Sequence, residues 1–290
     1  MSRTSVVTDT TSYLPAELVE ANQINLVSLY INWGGERTER EADITDIDAF
    51  MQKLRDGAQL PTTSQPSVGD FQAAYEPLLA DGGEVVSVHI SGGISGTVEA
   101  ARQAAEGLER DGKGGERVHI YDSETGAGGL GLVALGAAKA ATAGKSGEEV
   151  LAAAKETRES LKMWFAIDTL EFLKRSGRIG GAAAWIGSTL KIKPLLTLER
   201  EMVPVERVRT TKRMLERLVA YAHQRKESGA DGWVIQHIQA DEQARALVET
   251  MRAEVFGSDP VFYSEVGPVL AAHTGPGLLG FGGVPRELVE

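Results

Sequence analysis

Between a run patterned as a buried strand, residues 84–90, and a run patterned as a helix, residues 98–108, stand seven residues: Ser91-Gly92-Gly93-Ile94-Ser95-Gly96-Thr97. Strand, glycine-rich turn and helix start, in that order, are what a parallel sheet with crossover helices requires. The turn also gathers the backbone N–H groups of a helix N-terminus and three hydroxyls near one strand end, a place that favours an anion. Many doubly wound folds use such a turn only to pass from strand to helix, so the rest of the chain must name the anion.

The same alternation runs through the first half. Residues 5–8 read as a buried strand, Asp9-Thr10-Thr11-Ser12 as a polar turn, and Pro15 as the opening of a helix to about Ala21. Residues 25–31 alternate like one strand, residues 34–43 form a polar loop, and Thr45 with Asp48 has capping-box spacing for a helix through Leu54. Pro61-Thr62-Thr63-Ser64-Gln65-Pro66-Ser67 is a second hydroxyl-rich turn, and Ser67 with Asp70 caps a helix from Val68 to about Ala80. One cap does not need the three further hydroxyls of Thr62, Thr63 and Ser64.

A strand over 118–121 ends at Asp122-Ser123, and Gly126-Ala127-Gly128-Gly129-Leu130-Gly131 opens a small-residue helix through Ala143. That run matches G-x-G-x-x-G, but no second strand ending in an acidic residue follows at the dinucleotide spacing, so the glycines are read as close helix packing. Gly144-Lys145-Ser146 is no phosphate loop either, because it lies at a helix end and Lys139 stands where that loop needs glycine.

From about residue 160 the texture changes. The pattern predicts a strand over 164–167, a short helix over 170–174, a basic turn at Arg175-Ser176-Gly177-Arg178 and an Ala/Gly-rich helix to about Leu190. A hairpin of residues 193–198 and 202–207 follows, then helices over 211–226 and 241–256 alternating with strands over 232–237 and 261–265. His273-Thr274-Gly275-Pro276-Gly277 is a last polar turn before Leu278-Leu279-Gly280-Phe281. The expectation is an α/β protein of two domains, residues 1–160 with a parallel sheet and 161–290 with a mixed sheet, and a ligand between them.

Composition narrows the function. A formal charge of −11 argues against a nucleic-acid or anionic-membrane face, and the absence of cysteine removes thiolate chemistry. No apolar run reaches the ~20 residues of a membrane span and no secretory core opens the chain, so the expectation is a cytoplasmic protein without stable membrane insertion. His89, His119, His223 and His237 lack metal-ligand spacing and are read structurally; no metal or cofactor is expected.

Seven motifs stand in a telling order: Val7-Thr8-Asp9-Thr10-Thr11-Ser12, Thr63-Ser64-Gln65-Pro66-Ser67, Ile90 through Thr97, Asp122-Ser123, Ser176-Gly177-Arg178-Ile179, Lys191-Ile192-Lys193-Pro194 and His273 through Gly277. In order and rough spacing they resemble the DegV family over nearly the whole chain. The resemblance implies a two-domain carrier that binds a long-chain fatty acid in the crevice between its domains. It implies a partner too: a separate fatty acid kinase subunit to which the carboxylate is presented, the acyl-phosphate then feeding phospholipid synthesis. Matched motif by motif, the carboxylate-binding residues fall on Thr63, Ser95 and His273, with Ser64, Gly96 and Thr97 beside them. Gly92 departs from the family's usual serine, and Thr10 from another.

The residue chemistry agrees with that picture. A carboxylate leaving water costs several kcal/mol unless donors replace its hydration, and hydroxyls, a helix N-terminus and an imidazole N–H are such donors. No Lys or Arg lies in the three turns, which suits a carrier that must release its ligand. The apolar residues Trp164, Phe165, Ile167, Ile186, Leu190, Ile192 and Leu278 are candidates for the tail pocket. Arg178 and Arg209 form a local basic feature for partner or phosphate contact. The rival is a serine acyl-hydrolase with Ser91 or Ser95 as nucleophile, His273 as base, and Asp122, Asp168 or Asp241 as orienting acid, although G-x-S-x-G is not met.

Overall fold

A computed structural model describes residues 3–34, 37–57, 60–186 and 192–290. Its first half runs β1 (Thr4–Asp9), α1 (Ala16–Ala21), β2 (Asn25–Val27), β3 (Tyr30–Trp33), β4 (Arg37–Arg40), α2 (Ile47–Asp56), β5 (Thr62–Ser64), α3 (Val68–Leu79), β6 (Glu84–His89), α4 (Thr97–Arg110), β7 (Val118–Asp122), α5 (Gly128–Thr142) and α6 (Gly147–Ser160). The second half runs β8 (Lys162–Ala166), α7 (Glu171–Arg175), β9 (Lys193–Glu199), β10 (Glu201–Val208), α8 (Thr211–Glu227), β11 (Gly232–His237), α9 (Asp241–Met251), β12 (Phe262–Glu265), α10 (Pro268–Thr274) and β13 (Leu279–Val284).

Three sheets result. A parallel sheet has the order β2-β1-β6-β7, a mixed sheet the order β10-β9-β8-β13-β11-β12, and a small antiparallel sheet the order β4-β3-β5. The expected α/β class with one parallel and one mixed sheet is what the chain adopts. Helices α3 and α4 cover one face of the parallel sheet, while α8 and α9 cover one face of the mixed sheet. Between the two sheets lies α5, which packs with Val88 and Ile90 on one side and Val234 and Val284 on the other. A helix held between two sheets is apolar all round, and residues 128–138 of α5 are buried without exception.

The capping box expected at Ser67 and Asp70 forms, and the structure shows another at Ser146 and Glu149. The box at Thr45 and Asp48 does not form: Asp46 is the cap, accepting from the Ala49 N–H.

Other boundaries need correction. The single strand expected over 25–31 is two, because at Ser28-Leu29 the chain leaves the parallel sheet for the small one. That corner is held by the Ser28 hydroxyl, which donates to Leu29 O (2.9 Å) and accepts from Ala42 N (3.1 Å). The expected loop after Gly34 contains β4, and the hydroxyl-rich turn contains β5, which pairs with β3. Residues 180–185 form a 3-10 turn where an α-helix was expected; the remainder of that helix, with Leu190 and Lys191, lies outside the described residues. The last turn expected of α9 is a π-helical segment, Arg252–Phe256. The small sheet and α2, although early in sequence, share a core with the mixed sheet through Ile31, Phe50, Phe165 and Ile167.

Candidate functional site

The turn after β6 is anchored from beneath. Asp9, at the end of β1 and fully buried, accepts from the Ile90 N–H at 3.0 Å and from the His89 ring at 3.0 Å. The other face of His89 continues to Ser87 (2.6 Å) and Tyr75 (2.7 Å), so a buried polar chain fixes the strand end. Serine, histidine and aspartate do meet here, but inside the core, with all three fully buried. Their role is support.

Within the turn most backbone donors are already engaged. Gly92 N–H donates to Asp122 Oδ1 (3.1 Å), Gly93 N–H to Ser91 Oγ (3.2 Å), and the N–H groups of Ile94 and Ser95 to Ser91 O. Thr97 N–H donates to Ser95 Oγ (3.3 Å). These bonds occupy the N–H groups of Gly92, Gly93, Ile94, Ser95 and Thr97, while those of Gly96, Val98 and Glu99 at the start of α4 are not among them.

Gly92 and Gly93 are glycines for reasons of space. A Cβ at Gly92 would lie 2.7 Å from an Asp122 carboxylate oxygen, and one at Gly93 would lie 2.2 Å from Arg200 O. The second approach is the β9–β10 hairpin turn docking onto the first unit, where Ser91 Oγ also donates to Arg200 O at 2.7 Å.

Three more segments complete a cavity. β5 presents Thr63 and Ser64, α10 presents His273 and Thr274, and the basic turn presents Arg178; these line one space with Ser95 and Gly96. Thr63 Oγ1 and His273 Nε2 lie 2.7 Å apart, although 210 residues separate them. His273 stands on the last turn of α10 and not on a loop, as the polar motif suggested. Burial, with the Arg178 guanidinium adding to it, lowers its ring to about 4, so it is neutral at pH 7. Its Nδ1 is buried without a partner among the described residues.

Helix α10 is in turn held by Glu41. This buried carboxylate accepts from Val269 N–H (2.8 Å) and from the Tyr13 hydroxyl (2.8 Å), which itself accepts from Leu270 N–H (3.2 Å). Burial pushes the Glu41 carboxyl up. Neither Glu41 nor Tyr13 stood out in the sequence.

The predicted residues divide cleanly. Thr63, Ser64, Ser95, Gly96, Arg178 and His273 line the cavity. Thr97 lies directly behind, fully buried, with its hydroxyl 2.8 Å from Ser95 Oγ. Arg209 is exposed and lies outside the cavity lining. The absence of Lys and Arg from the three turns does not leave the cavity uncharged, because Arg178 enters from a fourth segment. It donates to Ser176 O (2.6 Å) and Ile94 O (3.4 Å). Ser91 and Ser95 point their hydroxyls at Arg200 and Thr97, and His273 pairs with Thr63, so the hydrolase triad is not assembled.

The polar cavity shares Ile90, Ile94, Met202, Leu270 and Thr274 with an apolar slot between α5 and the mixed sheet. Each holds about 50 Å³. Strand alternation explains the slot: Met163 and Phe165 of β8, Gly280 and Gly282 of β13, and Val234 and Gln236 of β11 fall on one face in register. Two glycines in the middle strand leave a trough, and Gly126 and Gly128 at the start of α5 face it. Gly129, Gly131 and Gly136 do serve close packing, against Met163, Phe262 and Thr157. Among the tail candidates, Phe165 and Leu278 line the slot. Trp164 points to the opposite face, stacked on Tyr221 at 3.8 Å; Ile167 is core, Ile186 is exposed, and Ile192 is outside the lining. Among the described residues no group of three or more His, Cys, Asp or Glu is placed to hold a metal ion, and no helix is long and apolar enough to cross a membrane.

Comparison with known proteins places these features in a lineage. A family model described as "Uncharacterised protein, DegV family" matches residues 3–286. A DegV domain-containing protein of Streptomyces coelicolor is 37% identical over 285 residues, 97% of this chain and 98% of its own. A DegV family protein from Thermus thermophilus, solved in a study of its fatty acid binding, superposes with a TM-score of 0.88 at 35% identity, covering 97% of this chain and 99% of that one. DegV of Bacillus subtilis, described as a fatty acid binding protein, superposes with a TM-score of 0.85 at 32% identity, covering 98% and 100%.

Proposed function

Because the chain belongs to the DegV family, we propose that it binds a long-chain fatty acid with the carboxylate among Thr63, Ser95 and His273 and the acyl tail in the glycine-lined slot. The observation that carries this reading is the shared wall. A small space rimmed by hydroxyls, a neutral imidazole and one guanidinium adjoins, across Ile90, Ile94 and Leu270, a space lined almost wholly by apolar groups. That polarity gradient matches an amphiphile with one anionic end.

The head-group chemistry follows from the donors. Ser95 and Thr63 hydroxyls replace part of the lost hydration, and each charge-assisted hydrogen bond contributes about 1.5–3 kcal/mol. The neutral His273 ring shares one proton with Thr63 across 2.7 Å, which orients the threonine hydroxyl. Arg178 supplies the compensating charge without leaving its carbonyl partners. Affinity comes mostly from the tail, at ~0.8 kcal/mol per buried CH₂, on the order of 10 kcal/mol before ordering costs. A long chain exceeds the slot's volume, so seating it displaces Met163, Met202 and Leu270; methionine is the side chain best suited to yield.

The reading extends to a carrier role. The protein holds the acid in the cytoplasm, presents its carboxylate to a separate kinase, and takes no catalytic part; the acyl-phosphate then enters phospholipid synthesis. Exposed Arg209 is assigned to partner docking, Arg178 to the head group. Two domains, 1–160 and 161–290, clasp the ligand between them.

Denaturing extraction of the purified protein, followed by mass spectrometry, tests the ligand class. A stoichiometric long-chain fatty acid is the expected result. No extracted acid, together with no rise in melting temperature on adding octadecanoic acid, overturns the reading.

A further inference from the structure

Among the described residues, one polar group in the wall of the slot has no hydrogen-bond partner. Gln236 on β11 is 3% exposed and its side chain lines the apolar slot. Its amide nitrogen donates to Ser264 Oγ (2.8 Å), with Ser12 O (3.4 Å) and Tyr13 O (3.5 Å) close behind. The Ser264 hydroxyl donates onward to Tyr13 O at 2.7 Å, so its oxygen is left to accept. All three neighbours demand an N–H, and the reverse amide orientation would set the Gln236 oxygen against two carbonyls. Orientation is thereby decided.

What remains is Gln236 Oε1, buried and without a hydrogen-bond partner. It lies against the start of α5, where a Cβ at Gly128 would sit 3.1 Å from it. The slot's other polar side chain, Thr274, has its hydroxyl engaged with Leu270 O at 2.9 Å. A carbonyl oxygen buried without a partner in the wall of an apolar space is costly, and a straight hydrocarbon tail does nothing to relieve it. A core-facing methionine or leucine would fill the position at no such cost.

We propose that Gln236 Oε1 accepts a hydrogen bond from a hydroxyl on the acyl chain, making a hydroxy fatty acid the preferred ligand class. The inference rests on the fatty-acid reading above. One fixed acceptor beside a confined chain also predicts positional selectivity: a hydroxyl at one or two adjacent carbons is favoured, and hydroxyls elsewhere are buried unpaired and penalised.

The test is competitive binding of the positional isomers of hydroxyoctadecanoic acid against octadecanoic acid, first on the unaltered protein. One isomer, or two neighbours, should bind about tenfold tighter than octadecanoic acid, and the others more weakly. In Gln236→Met, whose side chain is of similar length, that preference should vanish, with no isomer binding tighter than octadecanoic acid does to the same variant. If octadecanoic acid binds the unaltered protein and no isomer surpasses it, the Gln236 inference is overturned and the fatty-acid reading stands. A preference that survives in Gln236→Met overturns it as well. If neither octadecanoic acid nor any isomer binds, both fall together.

Discussion

Around Thr63, Ser95 and His273 the wall of the site is made of side chains that four separate segments hold in place by hydrogen bonds, whereas beyond Ile90 and Leu270 it is made of glycine backbone and pliable apolar groups. On the reading proposed above, the head end works by what is present and the tail end by what is missing. A donor removed at the head should weaken every acid equally. A side chain added at the tail should discriminate by length.

The largest effect follows from filling the trough. A Cβ at Gly280 meets only ordinary contacts, at 3.4 Å from Phe165, so Gly280→Leu should fold yet occupy the slot. Displacing about four methylenes costs ~3 kcal/mol, roughly a hundredfold in the affinity for octadecanoic acid, with octanoic acid much less affected. Equal losses for both acids in a calorimetric titration would break the division of labour.

Next in size is the acid response of the head end. The folded protein holds His273 near 4, below its ordinary 6.5, so the unfolded chain binds more protons between these values. Stability should then fall as pH drops through that window and level off below it, by on the order of 3 kcal/mol. In His273→Gln this component should be absent. Denaturant melts of both proteins at pH 7 and pH 4.5 measure it, and parallel losses in the two would contradict the assignment.

Smaller still is Ser95→Ala, expected to weaken octadecanoic and octanoic acids alike, by about tenfold to a hundredfold. Charge reversal at exposed Arg209 should leave fatty-acid affinity unchanged and lower only the rate at which a partner kinase phosphorylates the bound acid. Arg178→Glu should lower both.

The same contrast governs what was legible in the sequence. Thr63, Ser95 and His273 were named through the resemblance to the DegV family; the residues themselves showed only hydroxyls beyond the needs of capping and a histidine in a polar motif. Their meeting was not visible, since it depends on β5 pairing with β3 and on α10 docking onto Glu41. The slot was invisible for a deeper reason. Glycine at every second position of Leu279-Gly280-Phe281-Gly282 reads as a weak strand until the neighbours are known to be Met163, Phe165, Val234 and Gln236. The break at Ser28 was hidden likewise, because alternation fixes which face a strand buries and not which sheet it joins. The expected N–H fan is narrower than its motif suggests, because Ser91, Ser95 and Asp122 accept from five of its donors.

Head-and-tail binding is decided by where the two ends of one bound molecule lie. A crystal structure of the protein loaded with octadecanoic acid measures this directly. The prediction is a carboxylate within hydrogen-bond reach of the Thr63 and Ser95 hydroxyls, and a tail passing Leu270 to lie along Gly280 and Gly282. A carboxylate bound elsewhere, or a tail lying outside the slot between α5 and the mixed sheet, would contradict it.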